Sequence, residues 1–321
     1  MNKFNLREVC GEAKRIGICA HVRPDGDAVG SCLALYHYLK NAIQNVEIKV
    51  FLETVPSCFH GLDSVGEIDN SFPDEEPFDV FFVLDVAKNE ERIGGAYKYA
   101  EKAKCLVNID HHISNAKGSG DINYVLPEAA ATCQVLYELM EKEWMDVKVA
   151  EALYVGIIHD CGVFQYSNTS PRTMEIAADL ISYGFPFHSL IEETFYEKTY
   201  LQNQLLGRAL MESIRFMDGR CIVSCVDRKT MEFYEATSAD LEGIINQLRN
   251  TKGVDCAVFM YEISPMTFKV SLRSNEKVDV SKVAGFFGGG GHVRAAGCTL
   301  NGTFHDVINN VSAQIEKWIQ D

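Results

Sequence analysis

Apolar positions in the first half of the chain follow two patterns: short continuous runs, and longer stretches that repeat every three to four residues. Residues 16–22, 46–52, 79–84 and 105–109 form the runs. The second of these alternates like a strand with one covered face, and the last two are nearly unbroken, as in strands buried on both faces of a parallel sheet. Residues 28–39, 129–142, 147–158 and 173–183 repeat at helical spacing. Strand and helix alternate, so the pattern predicts an α/β fold, doubly wound around a parallel sheet.

The pattern changes near residue 195. Residues 195–216 read as one connecting helix, after which strands are expected at 221–226, 255–262, 267–273 and 295–300, with helices at 238–250, 280–286 and from 305. This divides the chain into a larger domain at 1–195, a helical linker at 196–217 and a smaller α/β domain at 218–321. A length of 321 residues suffices for two separate cores. No repeat of fixed period relates the halves.

Composition narrows the class. Apolar residues make up 47% and charged residues 23%, as in ordinary globular protein. No apolar run approaches the roughly 20 residues of a membrane span, and Met1-Asn2-Lys3-Phe4-Asn5 leads into polar sequence instead of a signal core. Eleven cysteines, with no Cys-x-x-Cys pair, are expected as reduced thiols. A cytoplasmic protein with no membrane partner follows. The net charge of -15 opposes tight binding of long nucleic acid, whose affinity rests on many Lys and Arg contacts with phosphates. Short anionic substrates are compatible with it where bound cations reverse the local sign. A homodimer is allowed but not demanded.

The chemistry-bearing residues lie where the apolar runs end. His21-Val22-Arg23-Pro24-Asp25-Gly26-Asp27 joins a strand to a helix, and its turn lets His21, Asp25 and Asp27 converge. A plain Asx turn capping the next helix is the bland alternative. Asp85 closes the run at 79–84, where an ionised carboxylate needs a partner charge. Asp110-His111-His112 closes the run at 105–109. Adjacent side chains on an extended backbone point to opposite faces, so one imidazole is expected as a metal ligand and the other toward substrate. Asp160 follows the helical stretch 147–158, where an anion opposes the helix dipole. The carboxyl ends of parallel strands border the ligand crevice of such sheets. Imidazoles with carboxylates suit manganese or ferrous iron better than calcium or a structural zinc.

In the second half, the glycine run Gly288 to Gly291 lets backbone amides approach a phosphate, with His292 as a donor at its edge. Arg273 alternates with Ser271 and can fork onto a phosphate, a surface ion pair being its bland alternative. His37, His60, His159, His188 and His305 read as structural or surface residues, and Phe81, Phe82, Phe286 and Phe287 as core.

In this order, His21-x-x-x-Asp25-x-Asp27, Asp85, the Asp110-His111-His112 triplet, Asp160, Ser271-Leu272-Arg273-Ser274 and the stretch from Gly288 to Gly297 resemble the DHH phosphoesterases with their DHH-associated C-terminal domain. The resemblance covers almost the whole chain, and two-domain members of the nanoRNase and pAp-phosphatase type are the most similar. It implies a catalytic, metal-binding DHH domain and a substrate-binding DHH-associated domain. It also implies a two-metal phosphoesterase that hydrolyses short oligoribonucleotides to mononucleotides and pAp to AMP and phosphate. Linear or cyclic dinucleotides such as pApA or c-di-AMP are the alternative substrates.

Two divalent cations, manganese first, are implied. His21, Asp25 and Asp85 would hold one, and Asp27, Asp85, His111 and Asp160 the other, with Asp85 bridging. Asp110 would orient an imidazole and His112 would face the scissile phosphate. Asn168, Arg273, Gly289, Gly290, Gly291 and His292 would bind substrate. Two departures put substrate preference in question: Cys161 stands where many members carry Thr, and Gln165 where many carry Arg, both expected beside the substrate. A pyrophosphatase or exopolyphosphatase would share the metal ligands, but the glycine run and Arg273 argue against it. A nucleotide sensor without turnover would show a degenerate ligand, and none is missing.

Overall fold

The computed structural model describes residues 5–275 and 277–319; residues 1–4, which entered the reading of the N-terminus, lie outside the described residues. The chain divides into two compact units, Met1–Glu197 and Lys198–Asp321.

The first unit is built on six strands: β1 (Arg15–Cys19), β2 (Glu47–Phe51), β3 (Ile68–Asp69), β4 (Val80–Leu84), β5 (Cys105–Asp110) and β6 (Ile122–Val125). They lie in the order β3-β2-β1-β4-β5-β6, and every neighbouring pair is parallel. All five residues of β4 are buried, because alternate side chains enter different cores: Phe82 and Leu84 join Ile16 and Ile18, whereas Phe81 and Val83 join Ile93 and Tyr99 on the opposite face. The unbroken apolar run is the signature of that two-sided burial. The edge strands β3 and β6 are two and four residues long and largely half-buried, too short and mixed for a readable period. Strand order reverses between β1 and β4, which makes the crevice beyond their carboxyl ends the place where such a sheet opens to ligand.

The helix Gly26–Ala42 is buried on every side from Gly26 through Leu39. It lies between the sheet and the helix Val147–Asp160, and Gly30 permits the close approach, since a Cβ there would stand 2.5 Å from the Ala152 carbonyl oxygen. The helix expected from residue 129 begins only at Thr132 and ends at Leu139, for a reason that lies in the site.

The second unit has a mixed sheet of β7 (Ile214–Phe216), β8 (Cys221–Val226), β9 (Cys256–Ser264), β10 (Thr267–Ser274), β11 (Gly290–His292) and β12 (Ala295–Asn301). The order is β11-β12-β10-β9-β8-β7, with β8 and β9 parallel and the other pairs antiparallel. Helices cover both faces. Val280–Phe286 and Phe304–Trp318 pack on Val258, Val270 and Leu272, while Tyr200–Met211 and Ile244–Arg249 pack on Ile222, Val226 and Phe259. The expected connecting helix is therefore shorter than 195–216. A capping box at Thr199 and Gln202 starts it at Tyr200, its buried Leu205 and Ala209 belong to the second core, and 214–216 pairs with β8 as a strand.

Phe81 and Phe82 are fully buried, but Phe286 is 65% exposed, contrary to the core expectation. It ends a short helix whose Val280, Val283 and Ala284 already face the core. All eleven cysteines are free thiols. No helix among the described residues is long and apolar enough to cross a membrane.

Candidate metal centre

His21 and Asp85 follow the two strands that flank the switch point, β1 and β4, and Asp110 ends β5 with His111 and His112 after it. The turn after His21 ends at Asp25, whose Oδ1 accepts hydrogen bonds from the amides of Asp27 and Ala28, both at 3.1 Å. Asp25 thus caps the helix Gly26–Ala42, as the bland reading had it, and also faces His21 Nε2 at 3.5 Å. One carboxylate can serve both purposes because the two amides and His21 all meet Oδ1, which leaves Oδ2 without a capping bond. Asp85 has a left-handed backbone, φ 59, which is uncommon for a residue with a side chain. Its N–H donates to the Ile109 carbonyl, and Asn108 Nδ2 donates to the carbonyls of Val83 and Val86 on either side.

The ligand atoms of His21, Asp25 and Asp85 lie within 4.8 Å of one another, and so do those of Asp27, His111 and Asp160. Asp85 stands between the two groups, with Oδ2 at 3.4 Å from His21 Nε2 and Oδ1 at 3.5 Å from His111 Nε2. Both imidazoles present Nε2, because each Nδ1 faces a carbonyl: that of Val22 for His21 at 2.9 Å and that of Ala129 for His111 at 3.2 Å. Asp160 is the last residue of the helix Val147–Asp160. There the helix carbonyls repel an anion, while the imidazole of His111 lies 3.1 Å away.

His111 and His112 do not point apart. Their rings are 4.6 Å apart, because β5 ends at Asp110 and the alternation of a strand stops with it. Asp110 organises this turn. Its Oδ1 accepts from the amides of His111 and His112 and from His112 Nδ1 at 2.8 Å, and its Oδ2 accepts from Asn115 Nδ2. His112 is consequently left with Nε2 as its free ring nitrogen.

Charge within the cluster fits a bound cation. Burial, then the carboxylates of Asp85 and Asp160, push Asp27 well above the usual carboxylate range, and burial also raises Asp85. Burial alone would lower His21 and His111, but the surrounding carboxylates outweigh it and raise them to about 11 and about 10. Carboxylates this close stay ionised together only with positive charge among them. Buried His111 Nε2 has no oriented hydrogen-bond partner among the described residues, as suits a lone pair directed at a metal. Imidazole nitrogens with carboxylate oxygens match a divalent transition metal.

Thr132 and Cys133 carried no signal in the motifs. Thr132 donates its amide to Asp27 Oδ2 at 2.6 Å and its hydroxyl to Asp85 Oδ1 at 3.0 Å, and the Cys133 amide reaches Asp27 Oδ1 at 2.9 Å. Asp27 thereby caps a helix that has no side-chain cap of its own, which is why that helix starts at Thr132. Asn168 ties the carbonyls of Ala130 and Asp160 together through Nδ2. Cys161, expected beside the substrate, is fully buried: the chain turns through left-handed Gly162, Val163 and Phe164, and the sulfur accepts from the Phe164 amide instead. Gln165 is exposed.

In the second unit Arg273 on β10 and His292 on β11 are both in register with Ala295 of the strand between them. Residues in register share a face, about 10 Å apart across two strand spacings. The glycine run is partly strand, since Gly290 and Gly291 pair with β12. Gly291, at φ 142, lies so close to that strand that a Cβ would stand 2.4 Å from the Ala295 carbonyl oxygen. Gly289 is equally constrained, and only Gly290 of the three faces open space.

The DHH family, N-terminal domain, matches residues 15–157 and the DHHA1 domain matches residues 218–321. The bifunctional oligoribonuclease and PAP phosphatase NrnA of Thermus thermophilus is 32% identical over 297 residues, covering 89% of this chain and 84% of its own length. The chain belongs to the DHH family. A second relative, the bifunctional oligoribonuclease and PAP phosphatase NrnA of Bacillus subtilis, is 30% identical over 87% of each chain. Among solved structures, that of an exopolyphosphatase-related protein from Bacteroides fragilis superposes with a TM-score of 0.88 at 25% identity, covering 97% of this chain and 94% of the other. The triplet that names the DHH family is Asp110-His111-His112 of this chain.

Proposed function

We propose that this chain hydrolyses short oligoribonucleotides to mononucleotides and pAp to AMP and phosphate, with two divalent cations, manganese by preference. The observation that carries the reading is the position of Asp85, whose two oxygens face imidazoles of different ligand groups. The relatives that carry both activities in their names support the substrate class. In this reading His21, Asp25 and Asp85 hold one cation, and Asp27, Asp85, His111 and Asp160 the other. Cations held there would stabilise the charge that develops on the phosphoryl oxygens.

The chain's own residues bind and orient. Asp110 keeps a proton on His112 Nδ1, so that Nε2 is the atom that meets an oxygen of the phosphate ester. Asn168 holds the Asp160 turn against the Ala130 loop and takes part in seating the substrate. Arg273, Gly289, Gly290, Gly291 and His292 offer an anion site for a phosphate that does not react, with Gly290 the place of closest backbone approach. The net charge of -15 favours short substrates over long nucleic acid, and eleven free thiols suit a reducing cytoplasm.

The test is turnover of pAp, 5'-phosphorylated oligoribonucleotides from two residues upward, pApA and c-di-AMP, with manganese and again in chelator. Hydrolysis of pAp and the shortest oligomers is expected, lost in chelator. Asp85→Ala should lower it by at least about a thousand-fold, because several kcal/mol of charge stabilisation go with both cations. Full activity in chelator, or turnover of the cyclic dinucleotide alone, would overturn the reading.

A further inference from the structure

Thr132 makes hydrogen bonds to one carboxylate from each group of ligand atoms, through two different donors. Its amide reaches Asp27 Oδ2 and its hydroxyl reaches Asp85 Oδ1. The residue is fully buried, so no water competes for either bond. Asp27 lies 105 residues away in sequence and Asp85 on a different strand end. Thr132 alone of the described residues donates hydrogen bonds to both carboxylates, and so ties the two ligand groups to one another.

We propose that Thr132 is a positioning residue of the metal centre, whose hydroxyl sets the orientation of Asp85 while its amide sets that of Asp27, keeping the two ligand groups in register. The inference rests on the reading of the cluster as a metal centre. An ionised carboxylate can only accept hydrogen bonds, so the direction of the Thr132 hydroxyl bond is fixed. Donation to one lone-pair direction of Oδ1 leaves the other for a cation. A neutral donor also orients the carboxylate without competing as a charge, which a lysine in the same place would do. Asp85 needs such a tether: its oxygens must face two imidazoles at once from a backbone held in the left-handed region. Groups that hydrogen-bond to metal ligands in this way are worth about ten-fold or more in metal affinity or activity.

The competing explanation is that Thr132 only packs and starts its helix. Thr132→Val separates the two, since valine keeps the shape and the amide bond to Asp27 and removes the hydroxyl alone. Calorimetric titration of the full chain with manganese, without substrate, is expected to show affinity reduced about ten-fold or more in T132V. The loss with pAp should fall on kcat with little change in KM, and Thr132→Ser, which restores the hydroxyl, should recover both. Thermal melting in chelator checks that each variant is folded. Should T132V not fold, Thr132→Ala, which adds no packing strain, carries the same comparison.

Manganese affinity and kcat equal to wild type in the folded hydroxyl-free variant would overturn this inference and leave the metal centre standing. Wild-type protein that took up no manganese would overturn the metal centre, and the role of Thr132 with it.

Discussion

Asn108 sits in the middle of β5 with its side chain fully buried, and every hydrogen-bonding position on it is used. Nδ2 donates to the Val83 and Val86 carbonyls, and Oδ1 accepts from Asn115, the Ser119 amide and the Ser119 hydroxyl. Asn115 in turn donates to Asp110. One amide thus connects the bend that carries Asp85 with the turn that carries His112. Asn108→Leu should lower stability by about 2–3 kcal/mol, because buried partners are left unsatisfied; urea denaturation measures it, and a change below about 0.5 kcal/mol would contradict this account. The polar residue was visible in the apolar run at 105–109, and a buried amide must be hydrogen-bonded. Its partners were not visible, since Val83, Val86 and Ser119 reach it only through strand pairing and the loop that follows.

At the level of elements, Asp79 ties together the starts of three strands. Its Oδ2 accepts from the amides of Lys14 and Arg15 at the start of β1, and its Oδ1 accepts from Lys104 Nζ ahead of β5 at 2.7 Å. Lys104 first, then the two amides, hold its carboxyl down from 3.8 to about 2. A folded value below the unfolded one means that the stabilisation is complete above pH 4 and is lost as the pH falls through 2. Asp79→Ala should therefore cost about 1–2 kcal/mol at pH 7, allowing for solvent screening of a partly exposed group. The gap between variant and wild type should narrow only below pH 4, and a gap that closed between pH 7 and pH 5 would show another group at work. Central strands and long helices were legible at this scale because their apolar periods are long enough to count. The helix start at Thr132 and the strand β11 were not, since a carboxylate from another helix sets the first and pairing with β12 the second.

For the molecule as a whole, the two tryptophans fall one in each unit, Trp144 and Trp318, so each unit can be followed separately in the full chain. With Trp318→Phe, manganese at about a hundred times its dissociation constant should stabilise the unit reported by Trp144 by about 2.7 kcal/mol. With Trp144→Phe, the unfolding reported by Trp318 should stay where it is. Equal shifts in both would show that the cation is not confined to the first unit. Arg273→Ala and His292→Ala belong to this scale too. If they hold a phosphate remote from the reacting one, manganese content is unchanged and pAp turnover falls about ten-fold or more, as expected for a charge-assisted bond. Bis-p-nitrophenyl phosphate has no second phosphate, so its hydrolysis should barely change. An equal loss on both substrates would remove the division of labour between the units.

The sequence by itself determined the parallel α/β core, the residues that cluster at its strand ends and the family. Buried strands leave unbroken apolar runs, and His21, Asp25, Asp27, Asp85, Asp110, His111 and Asp160 stand in short motifs at the ends of such runs or of a helix. Tertiary structure alone decided how the ligand groups are held: Thr132 between Asp27 and Asp85, the Ala129 carbonyl behind His111, and Asn108 beneath Asp85. It also buried Cys161, exposed Phe286 and turned part of a glycine run into an edge strand. Most of these depend on a partner distant in sequence or on which face of an element is already filled, and neither leaves a period or a motif in the residues that make the contact; the β11–β12 hairpin and the Cys161 turn are local, but too short to show a period.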